Sequence, residues 1–193
     1  MTLKPILEFA HTLATRALRP GSVAVDATIG NGHDTLVLAQ AVGANGRVHG
    51  FDVQAPALEQ TRARVRAEGG SDRVSLHRVS HEHMGRYVPD AVHGAVDAVT
   101  FNVGYLPGSE SNLTTTPETT LPALDTALAL LRPGGIITAV LYTGHEGGAV
   151  EAEAVHEWAA GLTQERAEVL SYRFVNQTNA PPRLLAIEKK GDA

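Results

Sequence analysis

The sequence predicts an α/β protein built on a doubly wound, mostly parallel sheet of seven strands with an antiparallel hairpin at its C-terminal end. Short apolar segments rich in β-branched residues alternate with segments of helical spacing from residue 23 to about residue 160. A tight glycine turn, Gly30-Asn-Gly32, joins the first strand pattern to a helix pattern. The last two strand patterns have no helix between them, which predicts a hairpin.

The elements follow in order, and each boundary has a local signal. Arg19-Pro-Gly21 ends the first helix, Gly69-Gly70 ends the third, and Thr116-Pro117 is a good cap and first turn for the fourth. Helices are predicted at 5–18, 36–41, 58–66, 121–131 and 150–160, and strands at 23–26, 47–52, 73–78, 95–101, 136–142, 167–175 and 184–188.

Length and composition indicate one globular domain. The 193 residues are expected to form an N-terminal helix (1–20), a cofactor-binding core (23–142) and a C-terminal helix with a hairpin (143–193). The chain has no cysteine, which excludes disulfides and thiolate chemistry, and its net charge of −5 argues against broad nonspecific binding of nucleic acid. No apolar run approaches membrane-spanning length and no secretion signal is recognisable, so we expect a cytoplasmic protein without a membrane partner.

Two acidic residues accompany the glycine turn. Asp26 ends the first strand and Asp52 ends the second, roughly 20 residues after the glycines, which is the spacing at which an acid reaches a ribose. A nicotinamide-binding fingerprint requires a third glycine, but His33-Asp34 stands there. The pattern resembles the class I S-adenosylmethionine-dependent methyltransferases, in which the first acid and the glycine loop hold the methionine part and the second acid holds the ribose.

This resemblance implies S-adenosyl-L-methionine as the cofactor. The loops at the carboxyl ends of the predicted strands are expected to bind it, because ligands of open α/β sheets lie at that edge. The residues predicted to contact the cofactor are Asp26, Thr28, Gly30, Asn31, Gly32, His33, Asp34, Thr35, Asp52, Val53, Gln54, Ser80, His81 and Asn102.

The loop after the fourth strand points to an amine as the methyl acceptor. Amine methyltransferases often carry Asn/Asp-Pro-Pro-aromatic there, and Asn102-Val-Gly-Tyr105 keeps the asparagine and the aromatic residue. With the motifs at 26–35, 102–108, 144–148 and 176–182, the whole chain resembles the tRNA 5-(aminomethyl)-2-thiouridine methyltransferases, a family also catalogued as rRNA methylases. The resemblance implies methylation of the aminomethyl group at the tRNA wobble uridine, in the anticodon region, by a homodimer.

The implied chemistry is the transfer of a methyl group to a neutral primary amine, which depends on positioning and on removal of a proton. Asn102 and Tyr105 are the candidates for orienting the amine, and His145 is the candidate for proton removal or RNA contact. No metal is expected. His81 and His83 are too close in sequence and lack a third ligand.

Several residues also have a purely structural interpretation. Asp26 is as well suited to capping the glycine loop, Asp34 could be only a helix N-cap, and His33 could be an ordinary loop residue. The arginines at 62, 64 and 66 are interpreted as a solvated helix face, and the stretch 176–182 as either a turn or an RNA-binding or dimer-forming edge.

Alternative functions remain open at this point. They are methylation of ribosomal RNA or of a small amine, an NAD-dependent oxidoreductase, and a noncatalytic adenosylmethionine- or RNA-binding module.

Overall fold

The structure is a computed structural model that describes residues 2–104 and 114–191. The helices are α1 (Ile6–Ala17), α2 (His33–Ala41), α3 (Ala55–Ala67), α4 (Pro117–Leu130) and α5 (Gly148–Ala160). The strands are β1 (Val23–Asp26), β2 (Arg47–Asp52), β3 (Val74–Arg78), β4 (Val96–Val103), β5 (Leu131–Leu141), β6 (Ala167–Tyr172) and β7 (Arg183–Lys189).

One mixed sheet contains all seven strands in the order β3-β2-β1-β4-β5-β7-β6. Strands β1 to β5 are mutually parallel, whereas β7 runs antiparallel to both of its neighbours, β5 and β6. The strand order reverses between β1 and β4, which is the switch point where open α/β sheets bind ligands. The predicted fold class and the C-terminal hairpin are confirmed.

The central strands are mostly apolar because helices cover both faces of the sheet. Val99 and Ile137 pack into the core that α4 and α5 cover, whereas their neighbours Ala98 and Ile136 pack into the core that α1 and α2 cover. Residues 2–104 and 114–191 contain no helix that combines the length and the apolar character needed to cross a bilayer.

Two strands, β5 and β6, differ most in length from the prediction. β5 begins at Leu131, directly after α4, because Leu131 pairs with Val96 and an irregularity in register absorbs the Arg132-Pro-Gly-Gly segment before Ile136 pairs with Ala98. β6 ends at Tyr172, where its pairing with Leu184 of β7 ends, and not at residue 175.

Candidate active site

The polar residues of the candidate site lie at the carboxyl ends of three neighbouring strands. In the ladder, Asp26 of β1 pairs with Gly50 of β2 on one side and with Thr100 of β4 on the other. Asp52 and Asn102 therefore each lie two residues beyond Asp26 along the flanking strands. This register brings the second predicted acid and the predicted substrate asparagine to the two sides of the glycine turn.

A cavity of about 380 Å³ opens at this edge, which is a common size for a small-molecule site. Most of the residues predicted to contact the cofactor line it: Thr28, Gly30, Asn31, His33, Asp34, Asp52, Val53, Gln54, Ser80, His81 and Asn102. The rest of the cavity wall is largely apolar, and a mostly apolar wall with a few polar groups is typical of cofactor sites.

Three other predicted cofactor residues, Asp26, Gly32 and Thr35, do not line the cavity, and two of them support the loop from beneath. Asp26 is fully buried and accepts hydrogen bonds from the Thr35 hydroxyl at 2.5 Å and from the Thr28 backbone N–H at 3.3 Å. This geometry matches the loop-capping interpretation of Asp26. Burial, together with the negative charge of Asp34, raises the pKa of Asp26 to about 7. Direct contact of these three residues with a cofactor stays a prediction.

The glycine turn is held against α3. Gly32 has a φ of +75°, and a Cβ atom there would lie 2.3 Å from the Thr61 hydroxyl oxygen, so no larger residue fits without displacing the helix. Arg64 donates from Nε to the Asn31 carbonyl at 2.9 Å. The interpretation of the arginines on α3 as a solvated face is therefore wrong for Arg64, which fastens the cofactor loop.

Asp52 links the ends of β1 and β2. Its Oδ2 accepts a hydrogen bond from the Gly30 N–H at 3.0 Å, and its Oδ1 accepts one from the Gln54 N–H at 2.8 Å. Burial raises the pKa of Asp52 above the usual value for an aspartate. Each carboxylate oxygen can accept further hydrogen bonds, so the acid can hold the loop and still receive ribose hydroxyls.

Asn102 belongs to a three-residue group that we call the Asn102 cluster: His11, Asp34 and Asn102. Asn102 donates from Nδ2 to Asp34 Oδ2 at 2.6 Å, and His11 Nε2 lies 2.7 Å from Asp34 Oδ1. The hydrogen bond with Asp34 raises the pKa of His11 above the usual histidine value. The backbone N–H of Asn102 donates to the Thr28 hydroxyl at 2.6 Å. Side chains from α1, α2 and the loop after β1 therefore meet around Asn102.

Asp34 is not the N-cap of α2. That position is occupied by Gly32, and α2 has no side-chain cap hydrogen bond. The carboxylate binds His11 and Asn102 instead. The capping interpretation failed because both partners are distant in sequence, and one lies on a helix that precedes the glycine turn.

The two other predicted catalytic residues are placed differently. Tyr105 lies outside the described residues. His145 does not line the cavity; its ring packs against Gly148 and against Gly104, which does line it. The roles of both residues stay predictions.

On the other side of the β4 end lies a second group, the Glu151 cluster: Glu151, Thr115 and Thr120. Glu151 is 1% exposed, and its two carboxylate oxygens accept hydrogen bonds from Thr120 at 2.7 Å and from Thr115 at 2.8 Å. Thr115 in turn accepts a hydrogen bond from the Gly104 N–H at 2.8 Å. Burial raises the pKa of Glu151 above the usual value for a glutamate. The cluster joins α4 and α5 to the chain that follows β4.

Sequence reasoning missed several residues of the cavity wall. Apolar and backbone contributors carry no chemical signal, whereas the run of threonines from 114 to 120 could have marked a buried hydroxyl cluster. The missed wall residues are Leu7, Ala27, Ile29, Phe51, Val79, Gly104, Thr114, Thr115, Thr119 and Tyr142. Within residues 2–104 and 114–191 no three His, Asp or Glu side chains are grouped to hold a metal ion.

A sheet whose last inserted strand runs antiparallel between β5 and β6 is typical of the Rossmann-like methyltransferases and not of the dinucleotide-binding dehydrogenases. The polar edge and the cavity lie where that class binds its cofactor. The chain belongs to the family described as "Putative rRNA methylase", which matches residues 48–188. The predicted family and methyltransferase class are confirmed, and an NAD-dependent oxidoreductase does not fit them.

Individual relatives agree with this assignment. The chain is 37% identical over 186 residues to the chloroplastic tRNA (mnm(5)s(2)U34)-methyltransferase of Arabidopsis thaliana, covering 92% of this chain and 67% of that protein. It is 42% identical to a protein of known crystal structure from Clostridium thermocellum, described as a "putative rRNA-methylase". The TM-score is 0.93, and the match covers 98% of this chain and 100% of that one.

A structure from Streptococcus mutans, described as a methyltransferase in complex with SAH, is 34% identical to the chain. Its TM-score is 0.87, and the match covers 97% of this chain and 99% of that one.

Proposed function

We propose that the protein is an S-adenosylmethionine-dependent methyltransferase that methylates the amine of 5-aminomethyl-(2-thio)uridine at the wobble position of tRNA. The similarity to the Arabidopsis enzyme over 92% of the chain is the observation that carries this proposal, because that enzyme is named for the same nucleoside. Asn102 adds chemical support, since it lines the cavity at the end of β4 and carries a buried acceptor that has no partner among the described residues.

The residues around the cavity fit the proposed cofactor. Asp52 offers carboxylate oxygens for the ribose hydroxyls, and Gly30 brings the backbone of the turn to the cavity without a side chain. When bound, S-adenosylmethionine supplies a methyl group on a positively charged sulfur. The buried carboxyl groups of Asp26 and Asp34 beside this loop favour a cationic ligand.

The chain acts on the acceptor mainly by positioning it. The Oδ1 atom of Asn102 is buried and has no hydrogen-bond partner within the described part of the chain. A neutral primary amine can donate an N–H to this oxygen and keep its nitrogen lone pair free to attack the methyl group. The apolar wall desolvates the amine and favours the neutral form that is needed for reaction.

The finer parts of the proposal concern the assembly and its location. We include a homodimer that binds the anticodon region, because a second subunit adds RNA contacts to a chain whose net charge of −5 gives it little electrostatic attraction to RNA. Light scattering of the purified protein with and without tRNA tests the dimer. A cytoplasmic location is also included, as the expected place of tRNA maturation, and fractionation of cells tests it.

The decisive experiment measures methyl transfer from labelled S-adenosylmethionine to tRNA. The tRNA comes from cells that cannot complete the aminomethyl-to-methylaminomethyl step, ribosomal RNA is assayed in parallel, and nucleosides are identified by mass spectrometry. We expect a methylaminomethyl product in tRNA alone. Label confined to ribosomal RNA would contradict the proposed tRNA substrate. It would support a second candidate function, methylation of ribosomal RNA, which the family description favours. Label in neither RNA would contradict both.

A further inference from the structure

We infer that His11 is a positioning residue of the active site: through Asp34 it fixes the side-chain amide of Asn102 so that Oδ1 faces the acceptor amine. This inference deepens the proposed function and rests on it. The inference gives α1, the helix that precedes the glycine turn, a role in positioning a residue of the active site.

The orientation of the Asn102 amide decides whether an amine can bind. An asparagine side chain carries an acceptor oxygen and a donor nitrogen at nearly equivalent positions, and only the oxygen can accept a hydrogen bond from an amine. A carboxylate can only accept hydrogen bonds, so it binds the nitrogen end of the amide. Because Asp34 lies 2.6 Å from Nδ2 of Asn102, the opposite end of the amide, Oδ1, remains for the substrate.

His11 determines which oxygen of Asp34 is available. It lies 2.7 Å from Oδ1 of the carboxylate, and Asn102 occupies Oδ2, so the two partners fix the rotation of the carboxyl group between them. Asp34 also lies close enough to the buried carboxyl of Asp26 for their charges to interact unfavourably. The hydrogen bond between His11 and Asp34 holds the carboxylate in place as an acceptor despite that repulsion.

The geometry differs from that of a structural ion pair in one respect. Both oxygens of Asp34 are engaged and Asp34 does not cap its own helix, yet the chain of hydrogen bonds ends on an acceptor, Asn102 Oδ1, that has no partner in residues 2–104 and 114–191. An unfilled buried acceptor is costly in a protein that uses it only for packing. Asp34 and Asn102 both line the cavity, so the residue that carries the unfilled acceptor borders the space available to a ligand.

The first test compares His11→Ala and His11→Gln with the wild type. The readouts are kcat and KM for aminomethyl-tRNA and the dissociation constant of S-adenosylhomocysteine by calorimetry. We expect His11→Ala to lower kcat about tenfold or more, because a small displacement of the acceptor misplaces the amine. Cofactor affinity should change less than about twofold. Glutamine can donate from Nε2 to Asp34 and should restore most of kcat. His156→Ala, an exposed histidine on α5, is the matched control.

The second test needs no catalysis. The side-chain NH₂ resonances of Asn102, assigned by comparison with Asn102→Asp, report on the hydrogen bond to Asp34. We expect His11→Ala to shift or broaden them and His11→Gln to retain them. If neither variant changes these resonances, or if His11→Ala retains wild-type kcat, the inference is wrong.

Other outcomes separate the inference from the proposed function. If His11→Ala lowers cofactor affinity as much as kcat, or if His11→Gln fails to recover kcat, His11 serves the fold in general and the inference is also wrong. A wild type that methylates no RNA would overturn the proposed function, while the resonances of Asn102 would still decide the positioning role of His11.

Discussion

The end of β4 lies between two buried carboxylate clusters that use similar groups in different ways. In the Glu151 cluster the oxygens of Glu151 accept hydrogen bonds from two threonines of the same chain region, and both acceptors are filled. In the Asn102 cluster the oxygens of Asp34 are also filled, but the chain of hydrogen bonds continues to Asn102 and ends on an open acceptor. A cluster whose acceptors are all filled by the chain stabilises the fold, whereas a buried acceptor without a partner costs free energy unless a ligand donates a hydrogen bond to it.

We therefore expect that disrupting the Asn102 cluster lowers turnover, whereas disrupting the Glu151 cluster lowers stability. The largest effect is expected for Asn102→Ala. Losing the acceptor should lower kcat about 100-fold, a typical loss for one preorganised hydrogen bond to a reacting group. Binding of S-adenosylhomocysteine should weaken by a much smaller factor than kcat falls. Steady-state kinetics with aminomethyl-tRNA measures the effect, and Asn45→Ala, in an exposed turn, is the control. Full activity with normal cofactor binding would contradict the role of Asn102.

The next effect concerns the Glu151 cluster. Glu151→Ala leaves the buried hydroxyls of Thr115 and Thr120 without their acceptor, and we expect the free energy of unfolding to fall by about 1–3 kcal/mol. Urea unfolding measures the change. Glu153→Ala, on the exposed side of the same helix, should have little effect. A large loss of kcat at a temperature where Glu151→Ala is fully folded would break the distinction between the clusters.

A third prediction concerns Asp26, the buried acid close to Asp34 of the Asn102 cluster. Because the pKa of Asp26 is raised to about 7, its carboxyl group is largely neutral below that pH in the ligand-free protein. A bound cation favours the carboxylate, so binding of S-adenosylmethionine releases a proton. Affinity should therefore increase as pH rises from 5 to 7, by at most about tenfold per pH unit, and then level off.

Calorimetry across this pH range tests the prediction. Asp26→Asn should flatten the dependence, because the amide does not titrate. Glu151→Gln should leave the dependence intact, since the Glu151 cluster lies on the other side of β4. Affinity that falls with rising pH would have the wrong sign and would contradict the proposed linkage.

The smallest effects are expected for a matched pair of hydroxyl deletions. Thr28→Val removes the acceptor for the Asn102 N–H, and Thr120→Val removes one donor to Glu151. Each should cost about 1 kcal/mol of stability. Only Thr28→Val should also lower kcat, by a few-fold, because it loosens the strand end that carries Asn102. Equal kcat values for the two variants would show that the Asn102 cluster and the Glu151 cluster do not differ in their effect on turnover.

The sequence was sufficient for the local features of the molecule. Mostly apolar runs predicted the central strands β4 and β5, because a strand buried on both faces must be apolar regardless of its partners. The glycine turn, Asp52 and Asn102 were recognisable because each stands immediately after a strand pattern, and the carboxyl ends of parallel strands meet at one edge. The boundaries of β5 and β6 were less well predicted, because pairing with neighbouring strands sets where a strand begins and ends.

The tertiary structure decided which polar side chains meet. His11 and Asp34 are 23 residues apart, and Asp34 and Asn102 are 68 apart, so no local pattern joins them. Glu151 has no local signal that sets it apart within the predicted helix 150–160. Packing places it against one threonine at the start of α4 and another in the segment before α4. Local sequence determines the elements and the edge at which a ligand binds. Packing between distant elements fixes the orientation of the Asn102 amide, because a hydrogen bond requires a particular distance and direction between its two partners.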